Sequence, residues 1–345
     1  MDRKTFLHRA SLGILGFSLA ELEGLTHLMP QWREGFSAAA SSDSYDVAVV
    51  GGSYAGLSAA LSLARCLRRV LVIDAGRPRN RFAREAHNLF GMEGEAPARV
   101  LQRAREQLAP YQAYLSLVEG QVTAVTQAEG VFSVSTETGE AFEASQLVLA
   151  TGATDQLPEI EGLASLWGAY VHHCPYCHGF ESRQGHTLLF SQGFDGLGLL
   201  GSLNHWCERL SLCVQGQPEL PAPLADFLQK QQIEVIASDL KAVDYQADLA
   251  GCQATFADGR RQHFAHLYLH PTTTYQTDLA VSLGCELDET GRVTTDRFMQ
   301  SSQPGIYAIG DLSSQSMGQI IWAAQSGMMA AVGINNQMIA DAMKP

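Results

Sequence analysis

The stretch YDVAVVGGSYAG, residues 45–56, decides the fold. It is a short β-branched run that ends at a pair of glycines, and apolar residues at helical spacing follow from Leu57 to Leu67. A second buried strand, residues 70–73, ends at Asp74. Strand, glycine turn, helix and strand in this order form a βαβ unit, so the sequence predicts an α/β protein.

The glycine turn of this unit has the composition of a dinucleotide-binding loop. Backbone N–H groups in such a turn, together with the dipole of the following helix, can hold a pyrophosphate. An acidic residue roughly 20 positions further on can accept hydrogen bonds from the ribose hydroxyls. Ser53 stands where glycine is usual, and its side chain narrows the approach to the phosphate while adding a hydroxyl donor. The predicted residues of this site are Gly51, Gly52, Ser53, Ala55, Gly56 and Asp74.

Two later strand ends extend the nucleotide-binding pattern. The runs QLVLA, residues 146–150, and GIYAI, residues 305–309, both lead into glycine-containing turns, and helical spacing returns over residues 319–335. This last segment resembles that of the FAD-dependent disulfide reductases, in which the aspartate after the strand contacts the ribityl chain and the next helix points at the flavin. We therefore expect bound FAD rather than a dissociable NAD. The further predicted cofactor residues are Thr151, Gly152, Gly310, Asp311, Gln319 and Ile320.

A second pattern of strand, turn and helix starts at His186, within the first nucleotide-binding unit. It predicts two nucleotide-binding domains, with the second inserted in the first. The FAD-binding domain is expected to be discontinuous, with residues 44–157 and 268–345, and the inserted domain to comprise residues 158–267. Residues 1–43 are predicted to form a separate signal-like or anchoring segment.

This N-terminal segment has the order of an export signal. Residues 3–7, RKTFL, resemble a twin-arginine signal with lysine in place of the second arginine. The uncharged run at residues 10–20 is too short to cross a bilayer, which needs about 20 apolar residues. The prediction is a periplasmic or membrane-associated protein. The alternatives are an amphipathic helix that is retained in the mature protein and packs on its body or on a membrane surface, and a cytoplasmic location.

The charge balance of the chain argues against a nucleic-acid partner. The 345 residues carry a formal net charge of -13. Proteins that bind a phosphate backbone need a positive field to release counterions. We therefore expect no nucleic acid among the partners.

The sequence HCPYCHGF, residues 173–180, contains a Cys-x-x-Cys pair. The spacing of Cys174 and Cys177 allows a disulfide within one helical turn, and a helix N-terminus lowers a thiolate pKa. His178 can move the proton that thiol–disulfide exchange requires. A zinc half-site and a purely structural disulfide are the alternatives, but no second Cys-x-x-Cys exists to complete a zinc site. The other cysteines are predicted to be buried and inert: Cys66, Cys207, Cys213, Cys252 and Cys285.

From Tyr45 to Asn335 the chain resembles the low-molecular-weight thioredoxin reductases. The glycine turn, the Ala-Thr-Gly, the Cys-x-x-Cys of the inserted domain and the closing Gly-Asp carry the resemblance. It implies a two-domain fold with three-layer nucleotide-binding domains, bound FAD and a homodimer. It also implies that Cys177 faces the flavin, that Cys174 exchanges with a thiol partner and that Asn88 contacts FAD. His178 stands where that family has aspartate.

The resemblance fails where these reductases bind NADPH. The turn after the strand at His186 reads SQGFDG, residues 191–196, with side chains where bare backbone should approach a pyrophosphate. Asp195 adds a negative charge there. The next strand ends in VQGQ, residues 214–217, where a basic cluster is expected. We therefore expect that NADPH is not used.

The leading functional hypothesis is an FAD-dependent, NAD(P)H-independent disulfide oxidoreductase that works in the dithiol-oxidising direction. Its partner would be a thiol/disulfide protein or a small dithiol, and the second electron acceptor is open. The resemblance to diflavin-linked disulfide oxidoreductases and dithiol oxidases adds a second FAD as an option. Phe194, Trp206 and Trp322 could stack against it, although core packing is the simpler role. The alternatives are a ferredoxin-fed thioredoxin reductase and a flavin redox sensor without turnover.

Overall fold

A computed structural model describes residues 44–216 and 219–344. The predicted export or anchoring segment lies outside the described residues. The strands are β1 Ser44–Val50, β2 Val70–Asp74, β3 Leu115–Glu119, β4 Val122–Ala128, β5 Val131–Thr136, β6 Ala141–Leu149, β7 Ala153–Gln156, β8 Val171–His172, β9 His186–Gln192, β10 Arg209–Gln215, β11 Glu234–Ile236, β12 Leu240–Gln246, β13 Gly251–Phe256, β14 Arg261–Phe264, β15 His266–Tyr268, β16 Thr272–Tyr275 and β17 Ile306–Ala308. The α-helices are α1 Tyr54–Arg65, α2 Pro97–Glu106, α3 Leu163–Leu166, α4 Pro175–His178, α5 Leu200–Trp206, α6 Ala222–Lys230, α7 Asp278–Ser282 and α8 Ile320–Ala342.

Seven strands form the first sheet, in the order β3-β2-β1-β6-β5-β4, with β17 also paired to β6. β1, β2, β3, β6 and β17 run parallel to one another, whereas β4 and β5 add an antiparallel hairpin. The carboxyl ends of parallel strands meet at one edge of a sheet, which is where α/β folds bind their ligands. The residues after β1, β2, β6 and β17 therefore lie along the same edge.

A second sheet of five parallel strands has the order β11-β10-β9-β15-β8. β12, β13 and β14 form an antiparallel three-stranded sheet. β7 and β16 pair with each other in a two-stranded linker through which the chain enters and leaves the second sheet. The mixed α/β class predicted from the sequence is confirmed.

Small residues let α8 lie directly against α1. A Cβ on Gly327 would overlap the carbonyl oxygen of Ala55, and the Ser58 hydroxyl donates to the carbonyl oxygen of Ala324 at 2.6 Å. Ala330 and Ile334 of α8 are fully buried in the same core as the α1 side chains. This contact holds the start of α8 beside the first glycine turn.

The first helix begins and ends earlier than the apolar spacing predicted. It starts at Tyr54 because Ser53 is extended and forms its N-cap, and it ends at Arg65 because Leu67 has a left-handed φ of 62°. Cys66, at its C-terminus, is exposed, so the prediction that it is buried was wrong. The other four single cysteines are buried, and burial raises the pKa of Cys213 to about 11.

None of the helices in residues 44–216 and 219–344 is long and apolar enough to cross a membrane.

Candidate active site

The first glycine turn has the backbone that a phosphate-binding loop requires. Gly51 has a φ of 107°, and a Cβ there would overlap the carbonyl oxygen of Ala150. A Cβ on Gly56 would overlap the carbonyl oxygen of Gly51. Ser53 forms no side-chain capping hydrogen bond to α1, so no side chain at the N-cap occupies the N–H groups of that helix end. The turn can therefore present these donors to an anion.

Asp74 lies beside this turn at the carboxyl end of β2. A Cβ on Gly52 would be 2.8 Å from the Asp74 Cβ, so only glycine fits between the turn and the carboxylate. Arg105 Nη2 donates to Asp74 Oδ2 at 2.9 Å and so holds one side of that carboxylate. A carboxylate has about four acceptor positions, which leaves capacity for ribose hydroxyls.

The residues predicted around the last strand lie at the same edge of the first sheet. Gly310 has a φ of 65°, and its N–H donates to the Ser326 hydroxyl of α8 at 2.9 Å. Asp311 follows and is partly buried. Asn88 Nδ2 donates to Gln319 Oε1 at 2.8 Å, which brings together two side chains that were predicted separately. Ile320 is the first residue of α8.

The Ala-Thr-Gly segment after β6 is tied to the strand that returns from the second sheet. The Thr151 hydroxyl donates to the carbonyl oxygen of Gln276 at 2.7 Å, and the Gln276 N–H donates to the carbonyl oxygen of Gly152 at 3.0 Å. Gly152 has a left-handed φ of 71°. The segment therefore contributes backbone rather than the threonine hydroxyl to the predicted cofactor site.

These residues fit an FAD molecule. The turn around Gly51 and the start of α1 can hold the pyrophosphate, and Asp74 can hold the ribose. Asp311 and the start of α8 stand where the flavin half would extend. The roles of the individual residues stay predictions from the sequence.

Cys174 and Cys177 form a disulfide, with their Cα atoms 5.3 Å apart. Cys174 is the N-cap of the single-turn helix α4, and both cysteines are half-buried. Tyr176, between them, is 65% exposed, and Phe180 is 66% exposed. A partner can therefore reach the pair from an apolar surface.

His178 lies in a cluster of histidines next to the disulfide. Its ring stacks on His172 with the centroids 4.1 Å apart, and His87 approaches its edge with the centroids 5.9 Å apart. Burial, and then the charge of His87, lower the pKa of His178 to about 4. His178 is therefore uncharged near pH 7, with a ring nitrogen that can accept a proton, and its low pKa makes it a weaker base than an ordinary histidine. No group of three or more potential ligands that could hold a metal ion occurs in the part of the chain that the structure describes.

Sequence reasoning missed His87 and His266. His87 belongs to the loop after β2, where its Nδ1 lies 2.9 Å from Glu93 Oε1. His266 Nδ1 lies 3.2 Å from Nε2 of the buried His172. His87 is far in sequence from His178, and His266 is 94 residues from His172. No local spacing therefore points to either histidine. The only signal was the position of His87 next to Asn88, which was already a predicted cofactor residue.

Acid is expected to destabilise the protein between pH 6.5 and about pH 4. The pKa values of His173, His178 and His266 are all lowered from 6.5 to about 4, chiefly by burial. In this range the unfolded chain binds protons that the folded protein does not, so the free energy of unfolding falls as the pH falls. The slope is at most about 1.4 kcal/mol per pH unit for each histidine. Urea denaturation at several pH values measures it.

His266→Gln is expected to have a shallower slope than the wild type, whereas His205→Gln, which changes an exposed histidine, should keep the wild-type slope. An unchanged slope in His266→Gln would contradict the lowered pKa of His266.

The second glycine turn, residues 191–196, is closed by its own hydrogen bonds. The Ser191 hydroxyl donates to the carbonyl oxygens of Gly193, at 3.0 Å, and of Asp195. The Asp195 N–H donates to the carbonyl oxygen of Gln192 at 3.2 Å. α5 starts only at Leu200, after a short 3-10 turn. One backbone donor of the turn, the Asp195 N–H, is thus used within the turn.

The neighbouring strand end is also occupied by the protein's own groups. Gln215 Oε1 accepts the N–H of Leu240 at 3.2 Å, and the Gly216 N–H donates to Asp239 Oδ1 at 2.9 Å. The Asp239 carboxylate therefore lies at the carboxyl end of β10, with Lys241 Nζ 3.9 Å from its Oδ2. Residues 214–217 contain no lysine or arginine.

The fold and this site define a disulfide oxidoreductase built on nucleotide-binding domains. The chain matches the pyridine nucleotide-disulphide oxidoreductase family over residues 45–192 and 198–327, and it belongs to that family. The interval between the two matches falls within the second glycine turn and the start of the 3-10 turn.

The relatives are thioredoxin reductases and similar oxidoreductases. The chain is 30% identical over 315 residues to thioredoxin reductase tcpT of Claviceps purpurea, covering 87% of this chain and 96% of that protein. It is 29% identical over 310 residues to thioredoxin reductase sirT of Leptosphaeria maculans, covering 86% and 94%. A solved structure of an oxidoreductase from Agrobacterium tumefaciens has a TM-score of 0.79 and 34% identity, covering 86% and 99%. The protein is therefore a flavin-dependent disulfide oxidoreductase of the thioredoxin reductase type.

Proposed function

We propose that this protein oxidises a dithiol partner through the Cys174–Cys177 disulfide and FAD, without using NAD(P)H. The observation that carries the proposal is the second glycine turn, in which the Asp195 N–H donates to the carbonyl oxygen of Gln192 and the Ser191 hydroxyl donates to the carbonyl oxygen of Asp195. A nicotinamide dinucleotide would have to break these bonds and place its phosphates near the Asp195 and Asp239 carboxylates. Both effects oppose binding.

The proposed dithiol oxidation can be written as a sequence of exchange steps at the cysteine pair. A partner thiol loses its proton to the neutral imidazole of His178, and the thiolate attacks the Cys174 sulfur. The Cys174–Cys177 bond breaks, and its electron pair leaves on Cys177. The partner's second thiolate then attacks the sulfur bonded to Cys174, which forms the partner disulfide and releases Cys174 as a thiolate. When bound, FAD supplies the two-electron acceptor that restores the Cys174–Cys177 disulfide.

We further propose that a second FAD binds beside the second glycine turn. Phe194 is 48% exposed at that turn, which does not fit the core-packing role considered for it. Trp206 packs edge-on against Tyr176 at 5.2 Å, and Trp322 Nε1 donates to the carbonyl oxygen of Gln315 at 2.6 Å. Phe194 is therefore the aromatic that is best placed to stack on a second ring.

Anaerobic titration of the flavin spectrum tests the proposal. A dithiol is expected to bleach the flavin stoichiometrically, and an excess of NADPH is expected to leave the oxidised spectrum unchanged, because the second glycine turn offers no phosphate site. The Cys174→Ser Cys177→Ser double variant is the control and should not be bleached by the dithiol. Rapid bleaching by NADPH would overturn the proposal. The molar ratio of FAD to protein tests whether a second flavin binds. A value near two supports the second flavin, and a value near one contradicts it.

A further inference from the structure

Arg79 is a largely buried arginine at the predicted flavin half of the site, and its guanidinium group joins two carboxylates. Its Nε and Nη2 donate to Oδ2 and Oδ1 of Asp155 at 2.8 and 2.6 Å, which is a bidentate pair. Its Nη1 donates to Asp311 Oδ2 at 2.9 Å. The Arg79 side chain is 22% exposed and that of Asp155 only 6%. Bidentate arginine–carboxylate pairs fix orientation as well as charge.

Asp155, the first of the two carboxylates that Arg79 joins, belongs to the two-stranded linker. Asp155 is in β7, and Thr273, in the paired strand β16, donates its hydroxyl to Asp155 Oδ1 at 2.8 Å. Arg79 Nη2 also lies 3.4 Å from the Thr273 hydroxyl. Although burial opposes ionisation, the hydrogen bonds and charge of Arg79 keep the pKa of Asp155 below its usual value. The linker strands are thus fixed to the loop after β2 by an ion pair.

Asp311, the second carboxylate that Arg79 joins, belongs to the predicted cofactor site. Arg79 holds Asp311 Oδ2, and the Ser316 hydroxyl donates to Asp311 Oδ1 at 3.2 Å. Both oxygens are oriented by these contacts, yet each keeps a lone pair for a further donor such as a sugar hydroxyl. Arg79 also acts on the cysteine segment. Burial is the main cause that lowers the pKa of His173 to about 4, and the positive charge of Arg79 lowers it further. His173 immediately precedes Cys174.

We propose that Arg79 is a positioning residue for FAD, which orients the Asp311 carboxylate toward the cofactor and is itself held in place by Asp155 of the linker. This inference rests on the placement of Asp311 in the FAD site. Without Arg79, Asp311 would keep its charge but lose the partner that fixes its rotamer. Asp155, almost fully buried, would be left without its counter-charge.

The test measures the FAD dissociation constant of apoprotein reconstituted with FAD, using the change in flavin fluorescence. Arg79→Gln is expected to weaken FAD binding by about 10- to 100-fold, which is typical when an outer partner of a binding group is removed. Arg81→Gln, two positions away and exposed, is the matched control and should bind FAD as the wild type does. Arg79→Lys keeps the buried charge but cannot pair with both carboxylates, so it should fold and show an intermediate loss.

A double-mutant cycle with Asp311→Asn separates the inference from the assumption on which it rests. If Arg79 acts through Asp311, Arg79→Gln has little further effect on FAD binding in the Asp311→Asn background. Wild-type FAD affinity in both Arg79 variants, or strictly additive losses in the double variant, would overturn the inference. Wild-type affinity in Asp311→Asn itself would instead show that Asp311 is not a cofactor residue, and the inference would fail with that placement.

Discussion

Replacing Cys174 with serine is expected to lower the rate of dithiol oxidation by about 1,000-fold or more, because a serine hydroxyl cannot form the mixed disulfide with the partner. The measurement is the rate at which a model dithiol reduces the FAD of the purified protein in a single turnover under anaerobic conditions. FAD content should stay at the wild-type value, since no predicted cofactor residue changes. A variant that keeps its FAD and loses turnover would locate the defect at the exchange step.

Two further variants make this result specific. Cys177→Ser leaves Cys174 as a free thiol, which a dithiol cannot oxidise but which can attack a disulfide. Incubated with the disulfide form of the model partner, this variant is expected to form a mixed disulfide at Cys174, visible by mass spectrometry, while the partner's other sulfur leaves as a thiolate. Cys66→Ser removes the exposed single cysteine and should retain full activity. If Cys174→Ser kept substantial turnover, or if Cys66→Ser lost it, the exchange pair would be assigned wrongly. The redox-sensor alternative also predicts that Cys174→Ser leaves every activity unchanged.

His178→Gln is expected to reduce the rate of dithiol oxidation by about 100-fold or more, within the range for loss of a general base. His178 is uncharged at pH 7 because burial lowers its pKa to about 4, so its ring nitrogen can receive the thiol proton, but as a weak base. Glutamine has a similar size and cannot carry that proton. The rate should depend more steeply on pH in the variant, because the partner thiol must then ionise without help.

Imidazole added to the solution distinguishes proton transfer from a packing defect. It should restore part of the activity of His178→Gln, since a small base can replace the missing ring. His186→Gln is the matched control, because His186 also has a pKa of about 4 but lies at the start of β9, where it contacts Ser211. Full activity in His178→Gln, or an equal loss in His186→Gln, would contradict the proposed role.

The predicted cofactor residues, at the carboxyl-end edge of the first sheet, rest on sequence patterns that are local. β1, the glycine turn and Asp74 follow one another within about 30 residues, and each has a distinct composition. The Cys174–Cys177 disulfide is equally local, since its spacing alone permits the bond. The predicted residues after β17 required only the short pattern that ends in Gly-Asp.

The contacts that connect these local units could not be predicted from spacing. Arg79 is 76 residues from Asp155 and 232 residues from Asp311, so nothing near it in sequence indicates its partners. His87 reaches His178 only because the loop after β2 folds against the cysteine segment. The exposure of Cys66 and Phe194 likewise depends on where helices end and turns close, which apolar composition does not specify.

The close packing of α8 on α1 through Gly327 also sets the order in which the site can be made. The ribosome produces the glycine turn before α8, which begins at Ile320 and packs against α1. The nascent chain therefore carries only the first half of the predicted cofactor site during most of translation. If the predicted site needs both halves to hold FAD, both cysteines of the redox pair are synthesised before the cofactor can bind.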